Sequence, residues 1–324
     1  MARVAIVTPA RPGARTGNLH AAQRWAAMLR SAGHRVSVAT EWNGERCDVL
    51  LALHARRSHA AVKRYRNAHP GAPLIVTLTG TDLYRDLPAS SEAREALALA
   101  DRIIVLQEDA KKLLKKSLRR KTKTVYQSSR PRLRRSPPAP SFRVVVVGHL
   151  REEKDPFRAA LALAHLPGRN DLEVVQIGNA LSPEYARTAM RMMKSEPRYR
   201  WVGSLPHARA LGWIARSHLM VISSVMEGGA NVISEAARIG TPVLASRMSG
   251  NIGMLGRDYP GYFRLYDDRG LARLIEKSLR DGKFYKELGK KLSKRRSLFA
   301  PAAERSALLG VVREALARQS SVRR

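Results

Sequence analysis

Glu227 and Glu235 stand with seven residues between them in SSVMEGGANVISEAARIGTPVLA, residues 223–245. Between them, Gly228 and Gly229 lie at the mouth of a helical pattern running to about Ile239. Glycine at that point lets a ligand approach the backbone closely. The first-turn N–H groups and the helix dipole then favour a phosphate. Glu235, one to two turns in, is placed to accept hydrogen bonds from ribose hydroxyls, and Glu227, in the loop, to hold sugar hydroxyls. Gly240-Thr241-Pro242 closes the helix and feeds the next strand. A second polar run, Gly148-His149-Leu150-Arg151-Glu152-Glu153-Lys154-Asp155, directly follows the apolar stretch FRVVVV.

Other chemistries lack their residues. The one cysteine, Cys47, permits no intrachain disulfide, no CxxC pair and no Cys/His metal cluster; it opens an apolar stretch and reads as a small core residue. A chain that uses no disulfide suits a reducing compartment, and a cytoplasmic location is expected. Asp267-Asp268 lacks the spacing of an Asp-x-Asp metal clamp. No metal and no cofactor are expected.

The elements that must position these residues alternate regularly. Short β-branched runs at Arg3–Thr8, Arg35–Ala39, Asp48–Leu53, Leu74–Leu78 and Arg102–Leu106 read as strands, with helical patterns at Leu19–Ser31, His59–Ala68 and Glu92–Ala100. A basic helix and a short strand around Val125 follow. Arg130–Pro140 has four prolines and no apolar period, which reads as a linker. Alternation restarts at Phe142–Val147 and continues with strands near Leu172–Ile177, Tyr199–Val202, Leu219–Ser223 and Pro242–Ala245. Pro301 is read as ending one helix, with a last helix over Ala302–Gln319. Serial β and α segments imply parallel sheets covered on both faces. The fold class is therefore α/β, with two Rossmann-like doubly wound domains, 1–140 and 141–301, facing a central cleft. The helix 302–319 is expected to return to the first domain.

The 324 residues are 44% hydrophobic and 27% charged, as in a globular protein rather than a disordered one. Lys and Arg number 59 against 27 Asp and Glu, a formal net charge of +32. That excludes an acidic cation-binding protein and implies an anionic partner: a nucleic acid, an anionic membrane surface or a nucleoside diphosphate. Residues 1–140 carry +17 and the remainder +15, so the charge is no detachable tail. The densest run, 111–135, has twelve basic residues and only Tyr126 as an aromatic. It lacks the interleaved stacking residues of single-strand binders, and no nucleic-acid partner is expected. No signal peptide and no apolar stretch of about 20 residues is seen; a peripheral membrane contact stays open.

E-G-x-x-x-V-x-x-E-A followed by G-x-P-V-L-A resembles the glutamate-seven-glutamate signature of GT-B glycosyltransferases of the family 4 type, and the likeness extends over most of the chain. That family places Gly-Arg-Leu after the first strand of its second domain, with a lysine five residues after the arginine; the pair holds the donor diphosphate. Lys154 takes the lysine position, and His149 departs from the arginine, lacking its bidentate fork. Arg151 could supply the missing charge. The resemblance implies catalytic roles for Lys154, Glu227 and His149, and donor binding by Gly17, Arg151, Gly228, Gly229, Asn231, Val232 and Glu235. It implies acceptor binding by Arg15, His54, Arg56, Arg57, Thr81 and Asp82. Asp82 has a helix-cap or turn role as its alternative, and Arg56 and Arg57 a solvated one. The strings GTDLYRDL, ALHARRSHAA, LREEKDP, RYRWVGSLPHARAL, MEGGANVISEA and SGNIGMLGRDYPGY further resemble the selenosugar synthase branch of selenoneine biosynthesis. That resemblance implies transfer from UDP-N-acetylglucosamine or UDP-glucose to selenophosphate, a small anionic acceptor. An O-glycosyltransferase acting on a sugar or lipid is the alternative.

Overall fold

The structure is a computed structural model that describes residues 1–10, 17–138 and 141–322. The chain divides into two compact units, Met1–Gln127 with Pro301–Arg324, and Ser128–Ala300. The first contains strands β1 (Arg3–Val7), β2 (Arg35–Ala39), β3 (Val49–Leu53), β4 (Leu74–Leu78), β5 (Arg102–Val105) and β6 (Thr122–Thr124). Its helices are α1 (Gly17–Arg30), α2 (His59–Ala68), α3 (Leu87–Ala89), α4 (Ser91–Leu99) and α5 (Lys116–Arg119). The second contains β7 (Phe142–Val147), β8 (Leu172–Ile177), β9 (Tyr199–Trp201), β10 (Leu219–Ile222), β11 (Val243–Ser246) and β12 (Tyr262–Phe263). Its helices are α6 (Arg158–Leu163), α7 (Pro183–Ser195), α8 (His207–Ala215), α9 (Asn231–Ile239), α10 (Ser249–Leu255), α11 (Asp268–Arg280) and α12 (Gly282–Arg295). The last helix, α13, spans Pro301–Val322.

Each unit is built on a six-stranded parallel sheet, ordered β2-β1-β3-β4-β5-β6 and β12-β11-β10-β7-β8-β9. The interior strands β3 and β4 are buried along their whole length, as continuous Val/Ile/Leu runs require when helices cover both faces. Edge strand β2 alternates exposed and half-buried residues. In the second sheet the chain runs outward from β7 to β9, then crosses back to β10 on the other side of β7. The loops after β7 and β10 therefore diverge at the carboxyl edge, the place where open α/β sheets hold ligands.

Three differences from the sequence reading have physical causes. Pro301 opens α13 rather than ending a helix, in the first-turn position where its missing N–H costs nothing. The boundary falls after Gln127, ahead of the Pro/Arg-rich stretch, because that stretch lies along the second unit. Ser129 N–H donates to Phe299 O, Ser136 N–H to Ala215 O, and the Arg135 guanidinium bonds the Tyr285 hydroxyl. Strand β12, two residues long, is too short to have left a periodic pattern.

Helix α13 belongs to the first unit. Leu308, Val311, Val312 and Ala315 pack with Trp25, Leu29, Ile6 and Leu51. Glu304 is buried there, accepting the Trp25 indole N–H at 2.7 Å and pairing with Arg24 at 2.9 Å. Cys47 packs against the other face's core, and burial pushes its thiol pKa up, as for an inert residue.

Candidate active site

Helix α9 forms because its buried positions, Ile233, Ala236, Ala237 and Ile239, recur at helical spacing. It stops at Gly240, whose N–H returns to Ala236 O. The loop preceding it, 223–230, is tied to the 148–155 loop. Ser223 Oγ donates to the carbonyls of Lys154 (3.1 Å) and Asp155 (2.7 Å), and Val225 N–H donates to Glu153 O. Asp155 takes a left-handed conformation at the end of the turn Glu152–Lys154, and its carboxylate holds Arg158.

These ties bring Lys154 onto Glu227. The ammonium Nζ hydrogen-bonds Glu227 Oε1, which also accepts the Ser224 hydroxyl at 2.8 Å. Support continues inward: Ser246 Oγ donates to Ser224 O at 2.6 Å, and Asn251 Nδ2 donates to Ser246 O and Oγ, both at 3.0 Å. The Lys154 side chain is 22% exposed, so an arriving anion can reach an ammonium that is already oriented. Gly250 on α10 lies directly beneath: a Cβ there would sit 2.1 Å from Glu227 O.

His149 is held by a comparable closure. Its Nδ1 accepts the Asn179 N–H at 3.1 Å, which leaves Nε2 as the protonated nitrogen of the neutral ring. Burial first, then the charges of Arg151 and Lys154, lower its pKa, so the ring is neutral near pH 7. The loops are pressed together at Gly178, where a Cβ would lie 1.9 Å from Gly148 O. Arg151 is partly exposed, its Nε 3.8 Å from Glu153 in its own turn. It influences His149 through charge and makes no bond to it. Gly228 is buried, Gly229, Asn231 and Val232 are half-buried, and all four cluster at the start of α9. Glu235 is buried one turn further, where His207 Nε2 bonds its Oε1 at 2.8 Å.

In the first unit, His54 is buried in the left-handed region, φ 75°, immediately after β3. That backbone is costly for a non-glycine residue and is held by several bonds. Asp82 accepts the N–H groups of Ala55 (2.6 Å) and Arg56 (3.3 Å) and lies 3.1 Å from His54 Nδ1. Asp82 is fully buried, so its carboxylate anchors the 54–57 turn instead of facing a ligand hydroxyl. It begins a π-helical turn, Asp82–Asp86, whose Asp86 pairs with Arg56 at 3.1 Å. Thr81 Oγ1 lies 3.4 Å from His54 Nε2. Arg57 is exposed, and its guanidinium meets no partner among the described residues. Gly17 opens α1, exposed, with open space where a side chain would stand. Arg15 lies outside the described residues.

Among the described residues, one group of three could ligate a metal: His54, Asp82 and Asp86. The group fits a cation poorly, because the Arg56 guanidinium and two backbone N–H groups already face its carboxylate oxygens. Asp267 caps α11 through the Gly270 N–H, and Asp268 pairs with His165 and Arg158, so both have structural roles. Nothing in the sequence spacing pointed to Ser224, Ser246, Asn251 or His207, which reach the site from four separate segments.

The family described as "Glycosyl transferases group 1" matches residues 129–295. The chain belongs to this family. The matched span covers the Pro/Arg-rich stretch, both site loops and α9. Among solved structures, sucrose-phosphate synthase from Thermosynechococcus elongatus superposes with a TM-score of 0.79 at 18% identity, covering 97% of this chain and 99% of that one. HepE of Anabaena, in complex with UDP and glucose, gives 0.72 at 17% identity over 99% and 100%. A glycosyltransferase from Rickettsia africae gives 0.73 at 12% identity over 97% and 98%. At these identities the likeness is one of fold, and it makes this group 1 glycosyl transferase a GT-B protein.

Proposed function

We propose that this glycosyl transferase moves the sugar of a UDP-sugar, UDP-N-acetylglucosamine or UDP-glucose, onto the selenium of selenophosphate, a step toward selenoneine. The observation that carries the donor half is the Lys154 ammonium seated on Glu227 beside the start of α9, at the carboxyl edge where β7 and β10 diverge. HepE in complex with UDP-glucose supports a UDP-sugar as donor for this fold. The diphosphate would meet Lys154, the first-turn amides of α9 and the Nε2–H of His149. Glu235 would take the ribose and Glu227 the sugar. The six strings quoted above support selenophosphate as the acceptor, and Arg15, Arg56 and Arg57 offer it cationic partners.

The selenium lone pair forms a bond to the anomeric carbon as the bond from that carbon to the β-phosphate oxygen breaks. UDP leaves with the bonding electrons. Selenium is already a strong nucleophile, so stabilising the leaving diphosphate matters more than a general base. Lys154 and the helix amides perform this without a metal ion. A reducing cytoplasm would keep the selenium nucleophilic.

UDP release by the purified protein, measured with each donor and either selenophosphate or a panel of alcohols and sugars, tests the reading. Release that requires selenophosphate is expected. Release with an alcohol or sugar instead would establish the O-glycosyltransferase alternative, and release with no acceptor in either set would refute both.

A further inference from the structure

We infer that His207 competes with the donor for Glu235: it occupies one oxygen of that carboxylate, so that a ligand offering a vicinal diol must displace the imidazole to use both oxygens. The assignment rests on the donor role proposed above. His207 begins α8, in the connection that leaves the carboxyl end of β9. Its side chain is 71% exposed while that of Glu235 is 10% exposed, so the imidazole is the movable member of the pair. Its Nε2 lies 2.8 Å from Glu235 Oε1, and no other bond to that carboxylate is made among the described residues. A carboxylate with one oxygen taken accepts a single hydroxyl without rearrangement. A 2′,3′-diol presents two O–H donors, matches both oxygens and can replace the imidazole.

The exchange carries a proton. Helix α8 packs on α9 and β7; the charged groups on these elements are Arg209 on α8, Glu235 and Arg238 on α9, and Arg143 on β7. Arg143 lies over the Trp213 ring, six residues along α8 from His207. The hydrogen bond to Glu235 raises the His207 pKa most; burial opposes it, and the charge of Glu235 adds a smaller rise. As pH falls, the pair becomes an imidazolium–carboxylate and is harder to displace. As pH rises through the raised pKa, the pair weakens and the diol wins. Displacement returns His207 to its ordinary pKa, so diol binding near neutral pH releases protons that would otherwise stay bound.

Calorimetric titration of UDP and 2′-deoxy-UDP into wild type, His207→Ala and His207→Gln, at low and high pH in buffers of different ionisation heat, tests this. UDP should bind wild type about tenfold more weakly than H207A near pH 6, with the two converging above pH 8. H207Q should follow H207A in lacking the pH term, and H207A should lack the extra proton release. For 2′-deoxy-UDP the wild-type-to-H207A ratio should stay near one at both pH values. Weaker UDP binding by H207A than by wild type near pH 6, or a ratio independent of pH, would overturn the inference while leaving the donor reading intact. Absence of UDP binding by all three proteins would overturn the donor reading and the inference with it.

Discussion

Lys154 and Glu227 form one polar unit. The carboxylate fixes the ammonium and is itself fixed by Ser224. Lys154→Ala should lower kcat/KM by about a hundred- to a thousandfold, the cost of deleting one preorganised stabiliser of developing charge. Its circular dichroism spectrum should match that of wild type; near-normal turnover would contradict the assigned role. Histidine protonation gives a second, signed prediction. The pKa values of His149 and His218 are lowered in the folded protein, both chiefly by burial and then by neighbouring cations. Below the ordinary histidine pKa the unfolded chain binds protons at these positions that the folded chain does not. Stability from this source is present at pH 7 and is lost as pH falls toward 5. His207 works in the opposite sense, contributing stability at low pH that is lost as pH rises through its raised pKa. The urea midpoint should therefore fall between pH 7 and 5, and His149→Asn should flatten part of that slope.

At the scale of elements, two close approaches set the loops. Gly178 lets the β8 loop press on Gly148, and Gly250 lets α10 lie beneath the Glu227 backbone. Gly250→Ala should push the Glu227 loop outward, costing about 1–3 kcal/mol from overpacking and reducing kcat/KM at least tenfold while retaining secondary structure. Unchanged kinetics in this variant would mean that the position of the loop does not matter. Helix α9 was legible in the sequence because its apolar period and terminal glycine are local signals. The parallel strands were legible as short β-branched runs for the same reason. Asp82 shows the reach of local reading: its position after β4 left a ligand-facing carboxylate and a turn role both open, and the N–H groups of Ala55 and Arg56, 27 and 26 residues away, take it up. The polar ladder through Ser224, Ser246 and Asn251 was equally invisible, because its members meet only after β10, β11 and α10 are assembled. His149 was recognised as a departure from the family arginine, but its neutrality follows from the Asn179 N–H and from burial, which spacing does not encode.

At the scale of the molecule, the chain closes on itself when α13 rejoins the first unit through Glu304. Glu304→Ala would leave the buried Trp25 N–H unbonded and the partly exposed Arg24 without its carboxylate, and should lower unfolding free energy by about 2 kcal/mol, read from the urea midpoint. A change below a few tenths of a kcal/mol would show that α13 is held by its apolar face alone. The net charge of +32 is spread over both units, and the cations that the proposed reaction would use are few: Lys154 and Arg151 for the donor, and Arg15, Arg56 and Arg57 for the acceptor. No helix among the described residues is long and apolar enough to cross a membrane. The central claim concerns the bond that is made. The most direct test incubates the protein with selenophosphate and a UDP-sugar labelled with carbon-13 at the anomeric position, then reads the product by selenium NMR. The account predicts a selenium resonance coupled through one bond to the labelled carbon, growing in step with UDP. An anomeric carbon bonded to oxygen, with selenophosphate unconsumed, would contradict it.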